Sequence, residues 1–179
     1  MSGNTEADIC RLYVVPRLTS AGWENEPHSI AEQRTFTDGR IIVAGGKVRR
    51  GKQKRADYLL RYTRDFPIAV VEAKPEYKTS SAGLGQAKDY ATILGLRFAY
   101  STNGHGIVEF DFTTGLERKL DAFPSPDDLW IRLCNADRLT NEQAERLLQP
   151  YHLLPQMRPR YYQDVAINRV VQAVTQGNQ

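Results

Sequence analysis

The sequence predicts a mixed α/β fold: a central sheet flanked by helices. Three observations carry this expectation. Ile68 to Lys74 is a short apolar run bounded by turn residues, the pattern of a buried strand. Ala56 to Tyr62 reads as a second strand, joined to the first by Arg64-Asp65-Phe66-Pro67, a turn composition that makes an antiparallel pair. Downstream, a helical stretch followed by another apolar run implies one parallel crossover beside that pair. The chain has 179 residues, enough for one domain with a core and too few for two large ones.

The elements follow in order. Thr5 with Asp8 is a capping-box-like start, and Ile9, Leu12 and Tyr13 continue at helical spacing. Pro16 kinks this helix or begins a second turn, and Gly22 stops it. Trp23 to Phe36 supports no assignment. Ile41 to Val48 reads as a hairpin about Gly45-Gly46. Gly46-Lys47 is not a phosphate loop, because Ile41 stands where that motif needs glycine and Val48 where it needs Ser or Thr. Arg49 to Arg55 is expected to be a basic loop. After Lys74, Pro75 to Ser81 is a loop, and Ser80 or Ser81 caps a helix through about Leu94 that Gly95 ends. Arg97 to Thr102 and Ile107 to Phe112 read as strands about an Asn103-Gly104 turn. Pro124 to Pro126 marks a boundary between a domain over 1–124 and a helical extension over 125–179. In that extension Asp127 to Cys134 and Asn141 to Leu148 form short helices, with Trp130 in the core.

Chemistry concentrates near the antiparallel pair. A tight loop centred between Arg64 and Asp65 sets Asp57 across from Glu72, and strand alternation puts Glu72 and Lys74 on one face. Directly opposed Cβ atoms lie roughly 4.5–5.5 Å apart, where two like charges destabilise a sheet unless something compensates. A divalent cation would compensate; Mg²⁺ suits two carboxylates because it keeps several waters. Lys74, a compact ammonium on the same face, can then orient a water and offset transition-state charge. A slip of one residue would send Asp57 to the other face. Gln86 and Tyr90, four apart, share a helical face.

Charge distribution points to nucleic acid. From Lys47 to Arg64 the basic residues are Lys47, Arg49, Arg50, Lys52, Lys54, Arg55, Arg61 and Arg64, against the single acid Asp57. Cys10 and Cys134, like His28, His105 and His152, lack metal-ligand spacing and read as ordinary residues, the cysteines as reduced, buried thiols. With no run of 18 apolar residues and no signal-like N-terminus, a cytoplasmic protein without membrane partners is expected.

These residues also carry a family likeness. Asp57 followed by Glu72-Ala73-Lys74 resembles the PD-(D/E)xK nuclease signature, and Gln86 to Tyr90 resembles its QxxxY helix motif. DYLLRY, IAVVEAKPE, QAKDYATILGLRFAYSTNGHGIVEFDFTTG and SPDDLWIRL together resemble the N-terminal nuclease domain of the R subunit of type I restriction enzymes, from about Thr5 onward. One departure is Ala56, where the signature has proline. The resemblance implies a restriction-endonuclease-like core with αβββαβ order and Mg²⁺-dependent hydrolysis of double-stranded DNA. Asp57 and Glu72, with the Ala73 carbonyl, would hold the metal, and Lys74 would position the water. Gln86 would reach the Lys74 end of the site or the scissile backbone, with Tyr90 bracing it or contacting phosphate. Glu6 either complements its helix dipole or, as in related families, sends a third carboxylate to the metal. Asn103, at the same end of the sheet as Lys74, is a candidate DNA contact. In such systems specificity resides in another subunit, methyltransferase and specificity subunits are partners, and cutting follows ATP-driven translocation. Pro159 to Ile167 resembles the opening of a superfamily 2 helicase motor, in which Gln163 would read adenine, so the chain is expected to be an N-terminal fragment that uses ATP only at full length. Two alternatives stand beside this: a stand-alone repair or phage-type nuclease, and a degenerate nuclease fold kept for DNA binding or docking.

Overall fold

The apolar runs form the middle of one sheet, and the polar ones form its edges. The computed structural model describes residues 6–37, 41–44, 47–50, 53–150 and 161–175. The elements are α1 (Glu6–Ile9), a π-turn over Cys10–Val14, α2 (Val15–Ser20), β1 (Ser29–Thr37), β2 (Ile41–Ala44), β3 (Lys47–Arg50), β4 (Gln53–Thr63) and β5 (Phe66–Ala73). They continue with α3 (Leu84–Leu94), β6 (Phe98–Thr102), β7 (Ile107–Asp111), β8 (Leu116–Leu120), α4 (Pro126–Ala136), α5 (Asn141–Leu148) and α6 (Tyr161–Thr175). Six strands form a sheet in the order β1-β4-β5-β6-β7-β8, with β2 and β3 as a separate hairpin. Only β5 and β6 run parallel, joined across α3; the other neighbours are antiparallel.

Every residue of β5 except Pro67 is buried, as expected of a central strand covered on both faces. On one face Ile9, Val14, Leu18 and Trp23 pack with Tyr58, Leu60, Val71 and Tyr100. On the other, Ala87, Tyr90, Ala91 and Leu94 of α3 cover Leu59, Val70 and Ala99. Leu129 and Leu133 of α4 and Leu147 of α5 belong to the first of these cores. The helices expected beyond Pro124 therefore share the core of the sheet, and Trp23 Nε1 donates to the Pro124 carbonyl just before them at 2.9 Å. Trp130 stacks on Tyr62 with centroids 4.8 Å apart.

Several expectations need correction. The first helix does not bury an Ile9, Leu12, Tyr13 stripe: Leu12 is 49% exposed, and the buried positions are Ile9, Val14 and Leu18. The π-turn, in which Val15 N–H reaches back to the Cys10 carbonyl, adds a residue and shifts the apolar face just before Pro16. Thr5 lies outside the described residues. Neither Ser80 nor Ser81 caps α3; its N-cap is Gly83, and its end at Gly95 has φ +72 as expected. The region left unassigned contains edge strand β1, and β8 was not anticipated. The supposed basic loop is largely strand, because β3 runs to Arg50 and β4 begins at Gln53; Gly45, Gly46 and Lys52 lie outside the described residues. Cys10 and Cys134 are half-buried rather than buried.

Candidate active site

The β4–β5 ladder sets the site. Tyr58 pairs with Val71, Leu59 with Val70 and Leu60 with Ala69, the register read from the sequence. One step further puts Asp57 beside Glu72, and Asp57 Oδ2 accepts a hydrogen bond from Ala73 N at 2.8 Å. The irregularities of this pair fall at the opposite end, around Arg61 and Thr63, so the connecting turn is accommodated without moving Asp57 off its face.

Glu72 is 1% exposed and is held by Lys74, just past the end of β5, and by Gln86 of α3. Lys74 Nζ donates to Glu72 Oε1 at 2.9 Å and to Gln86 Oε1 at 3.1 Å. Gln86 Nε2 donates to the same Glu72 oxygen at 2.6 Å and to Tyr90 Oη at 2.8 Å. This amide orientation alone satisfies both a cation and a carboxylate, since the carbonyl accepts and the NH₂ donates. Burial raises the Tyr90 phenol above its ordinary value, assisted by the Glu72 charge and opposed by the Gln86 hydrogen bond, so it stays protonated. Lys54 Nζ lies 5.9 Å from the Tyr90 ring centroid.

Gly83 brings α3 this close. A Cβ there would lie 2.9 Å from Lys74 Cε, 2.9 Å from Ser101 Oγ and 3.0 Å from Glu72 Cγ, distances no side chain tolerates. Gly83 N–H instead donates to Ser101 Oγ at 3.0 Å. The N-terminus of α3 therefore presses directly on the Glu72 to Lys74 segment and delivers Gln86.

Asp57, Glu72, Lys74 and Gln86 line one cleft of about 660 Å³. Its other walls include Arg11 from the π-turn, Arg55 from β4, and Glu32 and Gln33 from β1. Gln33 has φ +48, the left-handed region that a glutamine seldom adopts. Sequence reasoning missed Arg11, Gln33, Gly83 and Ser101; only the small residue at 83 left a trace.

Among the described residues no group of three or more His, Cys, Asp or Glu could hold a metal ion. Two carboxylates from adjacent strands, both lining the cleft, nonetheless make an all-oxygen donor pair that suits a hard cation retaining water ligands. Glu6 begins α1, but its side chain lies outside the described residues, as do the side chains of Lys47, Arg49 and Arg50 on β3. Arg55 is exposed. The Asn103 amide accepts from His105 N and Gly106 N within its own turn and donates to the Lys78 carbonyl of the loop after Lys74 at 2.8 Å. Gln163 is exposed on α6, remote in sequence from the cleft residues.

A second charged cluster, unforeseen from the sequence, lies between β7 and α4. Glu109 and Asp111 are 0% and 1% exposed. Arg132 donates to Glu109 Oε2 at 2.9 Å, to Glu109 Oε1 at 2.8 Å and to Asp111 Oδ2 at 2.6 Å. Tyr100 and Arg118 complete the set on Glu109 at 2.6 and 2.8 Å. Burial alone would raise the Glu109 pKa, but the hydrogen bonds from Arg132 and Tyr100 outweigh it and hold the group below its ordinary value; Asp111 is lowered likewise, with Thr113 and Arg132 as donors.

Comparison with known proteins shows what the chain is similar to. No protein-family model matches the chain, but over nearly its whole length it is homologous to endonuclease (R, or HsdR) subunits of type I restriction enzymes. It is 36% identical over 184 residues to the type I restriction enzyme EcoAI endonuclease subunit of Escherichia coli, covering 99% of this chain and 23% of that protein. It also matches a fragment structure assigned to the HsdR subunit of a type I restriction enzyme from Vibrio vulnificus YJ016, with TM-score 0.86 and 60% identity over 99% of this chain and 34% of that one. The chain thus spans only 23% to 34% of the length of these relatives. Among the described residues no helix is long and apolar enough to cross a membrane.

Proposed function

We propose that this chain is the nuclease portion of a type I restriction R subunit, hydrolysing DNA phosphodiesters with Mg²⁺ on a PD-(D/E)xK core. The observation supporting this reading is the convergence of Asp57, Glu72, Lys74 and Gln86, from two strands and a helix, on one cleft. Leaving the β2–β3 hairpin aside, the run α1–α2, β1, β4, β5, α3, β6 follows the αβββαβ order of that core.

Asp57 and Glu72, with the Ala73 carbonyl, would hold the metal. When bound, Mg²⁺ lowers the pKa of a coordinated water and offsets negative charge on the phosphoryl transition state. Lys74 is tethered twice, to Glu72 and to Gln86. The Gln86 tether keeps the ammonium oriented toward the attacking water and the developing charge while Glu72 serves the metal. Tyr90 accepts from Gln86 and fixes its rotamer. Arg55, Lys54 and the β3 cations Lys47, Arg49 and Arg50 attract the DNA backbone. In the full-length protein an ATP-driven motor translocates DNA, and methyltransferase and specificity subunits supply recognition.

The test uses the full-length R subunit assembled with those partners. Asp57→Asn, Glu72→Gln and Lys74→Met should each lower cleavage by on the order of 10²–10³-fold or more, with ATPase and translocation unchanged. Unimpaired cutting would reject the site. Vigorous Mg²⁺-dependent nicking by this chain without partners would favour the stand-alone enzyme instead.

A further inference from the structure

The turn that follows Lys74 is held more firmly than an exposed polar loop requires. Lys74 N–H donates to the Thr102 carbonyl at 2.8 Å, and Lys78 N–H closes a β-turn onto the Pro75 carbonyl at 2.9 Å. The Lys78 carbonyl accepts from Asn103 Nδ2 at 2.8 Å, and Glu76 Oε1 lies 2.7 Å from His105 Nε2. Beyond the turn, Ser80 sits so close to Gly106 that a Cβ there would lie 2.9 Å from its Oγ. The segment is thus tied at several points to the β6–β7 connection.

Displayed on this backbone is Tyr77, 77% exposed, next to the exposed Lys78. Single exposed apolar residues are ordinary on protein surfaces, but this one stands on a turn tethered to the β6–β7 connection and three residues from the cleft lysine. Here the ordering cost of the backbone is already met, so a ring offered to a ligand loses only its own rotamer freedom. Tyr77 is three residues from Lys74, at most about 10 Å along the chain, or about three base steps of one DNA strand.

We infer that Tyr77 packs its ring on a nucleotide of the DNA strand beside the scissile phosphate, with Lys78 on a neighbouring phosphate. Aromatic faces serve this purpose without sequence preference, because every base that leaves the duplex stack at the cut offers a π face. The same tethers make the β6–β7 connection, through Asn103 and His105, a support for this contact rather than a DNA-reading element. The inference rests on the nuclease reading of the cleft.

The experiment measures cleavage, ATPase and thermal stability in the full assembly for Tyr77→Ala, Tyr77→Phe, Tyr77→Trp and Glu72→Gln. Tyr77→Ala should cut about tenfold more slowly, within the range one base–aromatic stack supplies, while the Phe and Trp variants stay within about twofold of the parent. ATPase and melting temperature should not move. Full activity in Tyr77→Ala, or a Phe variant as slow as the Ala variant, overturns the stacking role while a cleavage-dead Glu72→Gln leaves the cleft reading standing. If Glu72→Gln cuts normally, both fall together.

Discussion

Two charged clusters sit on the same sheet, and they are built on opposite plans. Around Glu109 both carboxylate oxygens are engaged by Arg132, Arg118 and Tyr100, and the Arg132 guanidinium also lies 4.6 Å over the Phe98 ring. Around Glu72 the Lys74 and Gln86 contacts converge on a single oxygen, and the residues line an open cleft. A buried ion cluster with its hydrogen bonds saturated serves to join elements, here β7 to α4; removing one partner strands the other charge. A cluster gathered at the wall of a cleft retains donors and acceptors that can be reassigned to a ligand. Burial alone does not distinguish them, since Glu72 and Glu109 are both at most 1% exposed.

The contrast can be broken most forcefully at Arg132. Arg132→Met should cost about 3–5 kcal/mol, read as a loss in denaturant midpoint, whereas Glu72→Gln should cost far less while abolishing cleavage. Equal destabilisation by the two would erase the distinction. Acid supplies the next test. Glu109 and Asp111 have folded pKa values below their ordinary 4.5 and 3.8, so the unfolded chain binds more protons in that range. Their contribution is complete above those ordinary values and is lost as pH falls through the lowered folded ones. A denaturant series below about pH 4.5 should show this slope in the parent chain and a shallower one in Arg132→Met.

Gly83→Ala probes the cleft cluster through its packing. The added methyl meets Lys74, Ser101 and Glu72, so a loss of about 1–3 kcal/mol is expected together with slower cleavage, because the displaced groups are those of the site. The smallest effect belongs to Tyr90→Phe, which removes one hydrogen bond to Gln86 worth about 1 kcal/mol. Cleavage should fall a few-fold and stability by no more than about 1 kcal/mol; a cleavage loss as large as that of Glu72→Gln would give Tyr90 a direct part in the chemistry.

Much of this arrangement was legible before any fold was known. Period-two alternation and one turn specify the β4–β5 pairing, and with it the common face of Asp57, Glu72 and Lys74. A four-residue step on α3 likewise specifies the shared face of Gln86 and Tyr90. The edges were not legible: Leu116 to Leu120 is almost wholly exposed and carries no apolar alternation, so nothing marks it as a strand except its partner β7. The π-turn also escaped, because one inserted residue shifts a helical stripe without altering composition.

Local periodicity and turn chemistry, being properties of neighbours in the chain, determined the strands and the pairing of the two acids. The rest depended on partners far apart in sequence. Glu109 and Asp111 look solvent-facing in the run IVEFD, yet they are buried because Arg132, 23 positions from Glu109, arrives on another helix. Gly83 became the N-cap because the space above Glu72 and Lys74 admits no side chain, a condition created only when α3 docks on the sheet. Steric exclusion and charge compensation are decided where elements meet, and those meetings exist only in the folded chain.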